Sequence, residues 1–261
     1  MNANISANVI EMAGADVVAL RDTLLVAVED VNWTVASGEF WVIGGQQHSG
    51  KSDLLMHAAG LIAPARGTCR TFGVETARFD ETQLDERLRV GFVFTGGRLF
   101  NQLTIEENVA LPLQYHQGFA MAAAAKEVAE LLDLLELTPF AGATPSTLAA
   151  NWRQRAALAR ALILKPDLLL LDNPLVGLSA RHRQWLLCFL DQFWRGHDWF
   201  GGRPATVVVA TDDLRAWQHP RRKFAMLDKK TFAALGAWGD VESATHHAVK
   251  DLLAEPMATI T

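Results

Sequence analysis

The octapeptide Gly45-Gln46-Gln47-His48-Ser49-Gly50-Lys51-Ser52 constrains this 261-residue chain more than any other feature. It fits the pattern G-x-x-x-x-G-K-[ST], follows an apolar run at 40–43 and opens a helix-forming stretch at 51–60. A strand, a turn bracketed by glycines and a helix N-terminus, in that order, gather backbone N–H groups around a phosphate, and the helix dipole adds its positive end. Lys51 is then expected to reach the terminal phosphates and the Ser52 hydroxyl to hold Mg²⁺.

Further apolar runs at 90–94, 168–171, 206–210 and 224–228 are short and nearly continuous, as in strands of a parallel sheet covered on both faces. Helices are expected at 121–137, 151–164 and 180–195. In the first of these, Val128, Leu131, Leu132 and Leu135 share a face, Lys126, Glu127, Glu130, Asp133 and Glu136 lie largely on the other, and Pro139 stops the helix. Between 97 and 161 the pattern is helical without a core strand, which reads as a helical lobe inserted into an α/β body of about 15–96 and 162–228. The tail, about 224–253, reads as a hairpin around Asp228-Lys229-Lys230 followed by a closing helix, and the whole of 1–261 as a single nucleotide-binding domain. The run Leu168–Asp172 puts a carboxylate at the C-terminal end of a strand, where open α/β sheets bind ligands. Without the phosphate loop, a plain core strand with a capping Asp would be the preferred reading of that run.

A net charge of -5 gives no basic face for nucleic acid. Two distant cysteines, Cys69 and Cys188, make no disulfide framework and are expected to be buried filler in a reducing compartment. Residues 1–14 lack the basic flank and long apolar stretch of a signal peptide, and no run approaches a membrane span, so a cytoplasmic chain is expected. The run Pro220-Arg221-Arg222-Lys223 reads as a solvated turn, with contact to anionic lipid heads or a partner as the alternative, and His246-His247 as surface.

With the phosphate loop and the strand ending at Asp172 in hand, the chain resembles the ABC ATPase family over nearly its whole length. Val90-Gly91-Phe92-Val93-Phe94-Thr95 stands where the family has its Q-loop strand, and Leu99 to Val109 looks like the segment "LF..LTV.ENV" that faces a membrane subunit. Leu148 to Arg155 occupies the signature position, and the following residues to Leu162 resemble "VALARAL". Asp172-Asn173-Pro174 falls at Walker B, Gly177-Leu178-Ser179 at the D-loop and Ala210 to Leu214 at the H-loop. The tail, at Ala234 to Gly239 and Val249 to Leu253, is similar to ATPases of MCE-type lipid-transport systems. The resemblance implies an ABC-type P-loop fold with a mixed or parallel sheet core, and ATP with Mg²⁺ as ligands. Gly45 through Asp53 (Gln46, Gln47, His48, Ser49, Gly50, Lys51 and Ser52 included), Thr95 and Asp172 would contact the nucleotide, with Ser52 and Asp172 serving the metal. It also implies a transmembrane permease and a second nucleotide-binding subunit, identical or not, with MCE-type components, at the inner face of the membrane.

The chain departs from the family where chemistry is done. The Glu after Walker B, which acts as general base, is Asn173, and an amide cannot accept that proton. The H-loop His is Asp212, a carboxylate that repels phosphate. The Q-loop Gln is Thr95, and the D-loop Asp is Ser179. The signature LSGGQ reads Leu148-Ala149-Ala150-Asn151-Trp152, without its hydroxyl or its two glycines. Asp53 replaces a Thr near the α-phosphate, where it either weakens the nucleotide's hold or complements the helix dipole. No aromatic stands near 21–25, where the family stacks adenine, and His48 fills a usual glycine position. Together these changes predict a cassette that binds ATP with little or no hydrolysis. A divergent active enzyme and a nucleotide-free scaffold are the alternatives.

Overall fold

The computed structural model describes residues 8–76, 84–117 and 121–254; residues 1–7, on which part of the leader reading fell, lie outside them. The chain divides into two compact units, one drawn from 1–80 and 208–261 and the other from 81–207.

The first unit is built on a sheet whose neighbours run β5 (Val74–Glu75), β4 (Thr68–Thr71), β1 (Asn8–Ala19), β2 (Asp22–Ala36), β10 (Thr231–Gly236), β9 (Lys223–Asp228), β3 (Phe40–Gly45) and β8 (Thr206–Thr211). The pairings are mixed. β1 runs antiparallel to β2 and β4, β9 antiparallel to β10, while β3 and β9 are parallel. β2 alternates Val31, Trp33 and Val35 inward with exposed neighbours, the period-2 signature of a half-buried strand, whereas every residue of β3 is buried. α1 (Lys51–Ala58) buries Leu54, Leu55, Met56 and Ala58, and Thr71 of β4 fastens its end by donating to the Ala58 carbonyl at 2.7 Å.

The second unit contains the parallel pair β6 (Val90–Val93) and β7 (Leu168–Asp172). Its helices are α2 (Leu84–Leu88), α3 (Ile105–Gln117), α4 (Met121–Leu134), α5 (Ala150–Leu162) and α6 (Ala180–Arg195). α3 packs on both α4 and α5. Among the described residues no helix is long and apolar enough to cross a membrane.

The five expected strands and four expected helices are all present. The long antiparallel β1–β2 hairpin goes beyond what the sequence reading anticipated, and so do β4 and β5. The closing helix is two short ones, α7 (Trp238–Ser243) and α8 (His247–Leu253), because Ala244 and His246 adopt extended backbone between them. Cys69 is buried as expected, but Cys188 is exposed: on α6 it falls outside the stripe of Leu186, Phe189, Leu190, Phe193 and Trp194 that faces inward.

His57 closes the far end of α1. Its Nδ1 lies 2.8 Å from the Asp53 carbonyl, and its Nε2 accepts the Val18 N–H at 3.3 Å, which fixes the neutral tautomer with the proton on Nδ1. Burial pushes this imidazole below its usual range. The unfolded chain therefore binds the proton first as pH falls, so His57 contributes stability above the ordinary histidine pKa and withdraws it below. A melting series from pH 7.5 to 5 is expected to fall in the wild type and to flatten in His57→Gln.

Candidate functional site

The phosphate loop lies in the first unit, between β3 and α1. Gly45 ends the buried strand where no side chain fits: an added Cβ would sit 2.5 Å from Ser49 Oγ and 2.9 Å from the Leu227 carbonyl oxygen. The Ser49 N–H donates back to the Gln46 carbonyl at 3.3 Å, and His48 takes a positive φ of 63° to complete the turn. Gly50, at φ 92°, caps α1 with Val28 so close that a Cβ would come within 2.7 Å of its Cγ2. No side chain caps α1, so the positive end of its dipole adjoins the loop. The Lys51 side chain is 5% exposed, and its ammonium donates to the carbonyls of Gly45 (2.5 Å) and Gln46 (2.7 Å) and to Ser49 Oγ (3.4 Å). A buried cation held over a ring of main-chain groups fits a multiply charged anion such as a triphosphate.

Asp53 is put to use in the same unit. Its Oδ1 accepts the Leu20 N–H at 2.9 Å, tying the β1–β2 turn to the first turn of α1. That turn carries Leu20, Leu24 and Leu25, all exposed, in the stretch where an adenine-stacking ring was sought. At the end of β8, Asp212 is exposed. Its neighbour Asp213 is held by Arg215 through two charge-assisted bonds of 2.9 and 2.8 Å.

The second unit carries the Walker B, Q-loop, D-loop and signature positions. β7 is buried throughout and ends on Asp172, and Thr95 Oγ1 donates to the Asp172 carbonyl at 3.0 Å. Thr95 therefore braces the strand end. Asn173 takes a left-handed φ of 45°, a conformation Asn tolerates better than most residues, and its Oδ1 is buried with no hydrogen-bond partner among the described residues. The N-cap position of α5 is Ala149, whose methyl cannot cap the helix.

His182, which sequence reasoning missed, joins the altered signature to the altered D-loop. Its Nε2 lies 2.6 Å from Asn151 Nδ2 and its Nδ1 2.9 Å from Ser179 Oγ, with Trp152 edge-on at 5.3 Å. With Asn151 donating to Nε2, the proton sits on Nδ1. Burial, then the Arg155 and Arg181 charges, push the imidazole below its usual range and favour this neutral form. The i, i+3 spacing of Ser179 and His182 on one helix start was the available signal.

Arg155 anchors the same helix. It is 5% exposed, lies 3.5 Å from the Trp185 ring centre and 4.9 Å from that of Trp152, and donates to Glu136 at 2.6 Å. Arg155→Ala removes the stacked cation, its packing and the ion pair together. The expected cost is about 2–3 kcal/mol, read as a drop in melting temperature of the folded chain.

A glycine-bracketed phosphate loop feeding a helix, with a buried strand ending in Asp, defines a P-loop nucleotide-binding domain of mixed α/β type. The ABC transporter family profile matches residues 28–176, more than half of the chain. The chain belongs to that family, as an ATP-binding domain. It is 32% identical over 235 residues to the methionine import ATP-binding protein MetN 2 of Paraburkholderia xenovorans, covering 89% of this chain and 59% of that one. To the sulfate/thiosulfate import ATP-binding protein CysA 1 of Agrobacterium fabrum it is 37% identical over 207 residues, covering 78% and 57%. The chain thus spans less than two-thirds of the length of these curated relatives. Among solved structures, a dimeric post-hydrolysis state of the ATP-binding cassette MJ0796 bound to ADP and Pi superposes with a TM-score of 0.74 at 27% identity, over 88% of this chain and all of that one.

Proposed function

We propose that this chain is the ATP-binding subunit of a transport complex, and that it binds Mg-ATP on its phosphate loop while hydrolysing it little or not at all. The observation that carries the reading is Asn173: directly after the Walker B Asp172 stands an amide whose oxygen is buried and has no partner among the described residues, where the family has its general base. Asp212 at the H-loop and Ala149 at the head of α5 support it, since neither supplies a donor to a phosphate. Gly45, Gly50 and Lys51 favour retained binding, because the close approaches and the buried ammonium belong to a phosphate cradle. Ser52 and Asp172 are the side chains the family assigns to Mg²⁺. The ion would neutralise phosphate charge when bound. Within the chain, 97–161 would form a helical lobe and the remainder the α/β core.

The complex would include a membrane permease and a second cassette, identical or not, at the cytoplasmic face. The relatives named above support an importer. The lipid-transport reading rests on the tail residues alone and gains nothing from those relatives. Phosphate release by the purified chain tests the proposal: release no faster than in Lys51→Ala is expected, and clear Lys51-dependent turnover favours instead a divergent active ATPase. A chain that shows no Lys51-dependent nucleotide binding is a scaffold, and the proposal then fails on its other half.

A further inference from the structure

The last helix of the chain bears on the phosphate loop through contacts that the binding chemistry does not require. α8 packs on β3, and Leu252, 4% exposed, lies so close to Gly44 that an added Cβ there would meet its Cδ1 at 2.8 Å and the Leu214 Cδ2 at 3.0 Å. Gly44 is the residue immediately before the loop. The Leu252 carbonyl accepts the Leu214 N–H at 3.3 Å, which brings in the segment that carries Asp212. One residue earlier, Asp251 Oδ2 takes the Gln46 Nε2–H at 3.5 Å, a contact with the loop itself, and lies 3.0 Å from His247 Nδ1.

A seven-residue helix has no stability of its own in water, so α8 exists by virtue of this seat. Its anchors are few: Ala248, Val249 and Leu252 face inward, and the rest of the helix is solvated. Such an element opens more readily than the strand beneath it. When it opens, Gly44 keeps Leu214 but loses Leu252, Gln46 loses its bond to Asp251, and the loop gives up order that phosphate binding would then have to restore.

We infer that α8 is a positioning element for the phosphate loop: seated, it holds 44–46 in the conformation that receives phosphate, and unseated, it lowers nucleotide affinity. Leu252 and Asp251 are the positioning residues, one by packing on Gly44 and the other by restraining Gln46. The effect on affinity rests on the nucleotide-binding reading above, whereas the effect on loop order stands without it.

The test uses the full chain and three variants, Leu252→Ala, Asp251→Ala and Leu252→Met. Amide hydrogen exchange across 44–52 reports loop order, and calorimetric titration with Mg-ATP reports affinity. Leu252→Ala is expected to speed exchange in the loop and to weaken Mg-ATP roughly tenfold, within the range usual for coupled sites. Asp251→Ala, on a solvated position, keeps the fold and is expected to weaken binding about threefold, a smaller step of the same coupling. Leu252→Met restores apolar bulk and is expected to behave as wild type. Faster exchange confined to 247–253, with 44–52 unchanged, overturns the inference. So does unaltered affinity in Leu252→Ala when the wild type binds normally. If the wild type binds no nucleotide, the proposed function fails, and the exchange data alone decide the role of α8.

Discussion

Replacing Lys51 with alanine is expected to weaken Mg-ATP binding by at least about 100-fold. The ammonium sits 2.5 and 2.7 Å from the carbonyls of Gly45 and Gln46, on the inside of the loop, and its removal deletes the one buried cation of the cradle. A charge-assisted hydrogen bond contributes roughly 1.5–3 kcal/mol, and two lost phosphate contacts exceed the ~2.7 kcal/mol that 100-fold represents. The deletion also frees two carbonyl oxygens, which then face the incoming triphosphate unneutralised. Fluorescence or calorimetric titration of the two proteins measures the ratio. A loss of less than threefold would mean that the phosphates are held elsewhere.

Restoring the family's groups is expected to act only in combination. Asn173→Glu alone supplies a base, yet Asp212 still presents a carboxylate and the start of α5 still lacks its hydroxyl and glycines. Phosphate release in that single variant should therefore stay within tenfold of wild type. Adding Asp212→His, Ala149→Ser, Ala150→Gly and Asn151→Gly is expected to raise release by on the order of 100-fold or more. A general base contributes about 10²–10⁴ and a charge-stabilising donor about 10²–10³ in such sites, and they do so as a unit. Part of the gain opposes the present wiring, because Asn151→Gly cuts the bond to His182 and releases Ser179. Robust turnover in Asn173→Glu by itself would show that the H-loop and signature changes carry little weight.

The parts of this fold that the sequence makes legible are those where local pattern and burial agree. β3, β7 and β8 are buried at every position, and their continuous apolar runs announce them. α6 spans the expected residues, and Leu186, Phe189, Leu190, Phe193 and Trp194 repeat at helical spacing along its C-terminal half. β1 and β2 went unread for the opposite reason. β2 is half exposed, both strands are interrupted by register shifts, and Glu11, Asp16, Glu29, Asp30 and Asn32 break their apolar stretches into short pieces. The alternation of Val31, Trp33 and Val35 was the usable clue. The phosphate loop was legible because its geometry demands particular residues at fixed spacing. The parts played by His182, Arg155 and the expected closing helix were not, since they arise from side chains brought together across 19 to 205 positions of sequence, as in Arg155–Glu136 and Gln46–Asp251. Asp53 shows the limit of motif reading: a position judged against phosphate and the helix dipole proves also to hold the β1–β2 turn.

The central claim is that the chain grips a triphosphate without cleaving it. Incubate the purified protein with Mg-ATP, remove free nucleotide, and identify by chromatography what the protein retains. Intact ATP at close to one per chain, absent in Lys51→Ala, is the predicted result. Retained ADP, or ATP that disappears on the timescale of minutes in a Lys51-dependent manner, would contradict it.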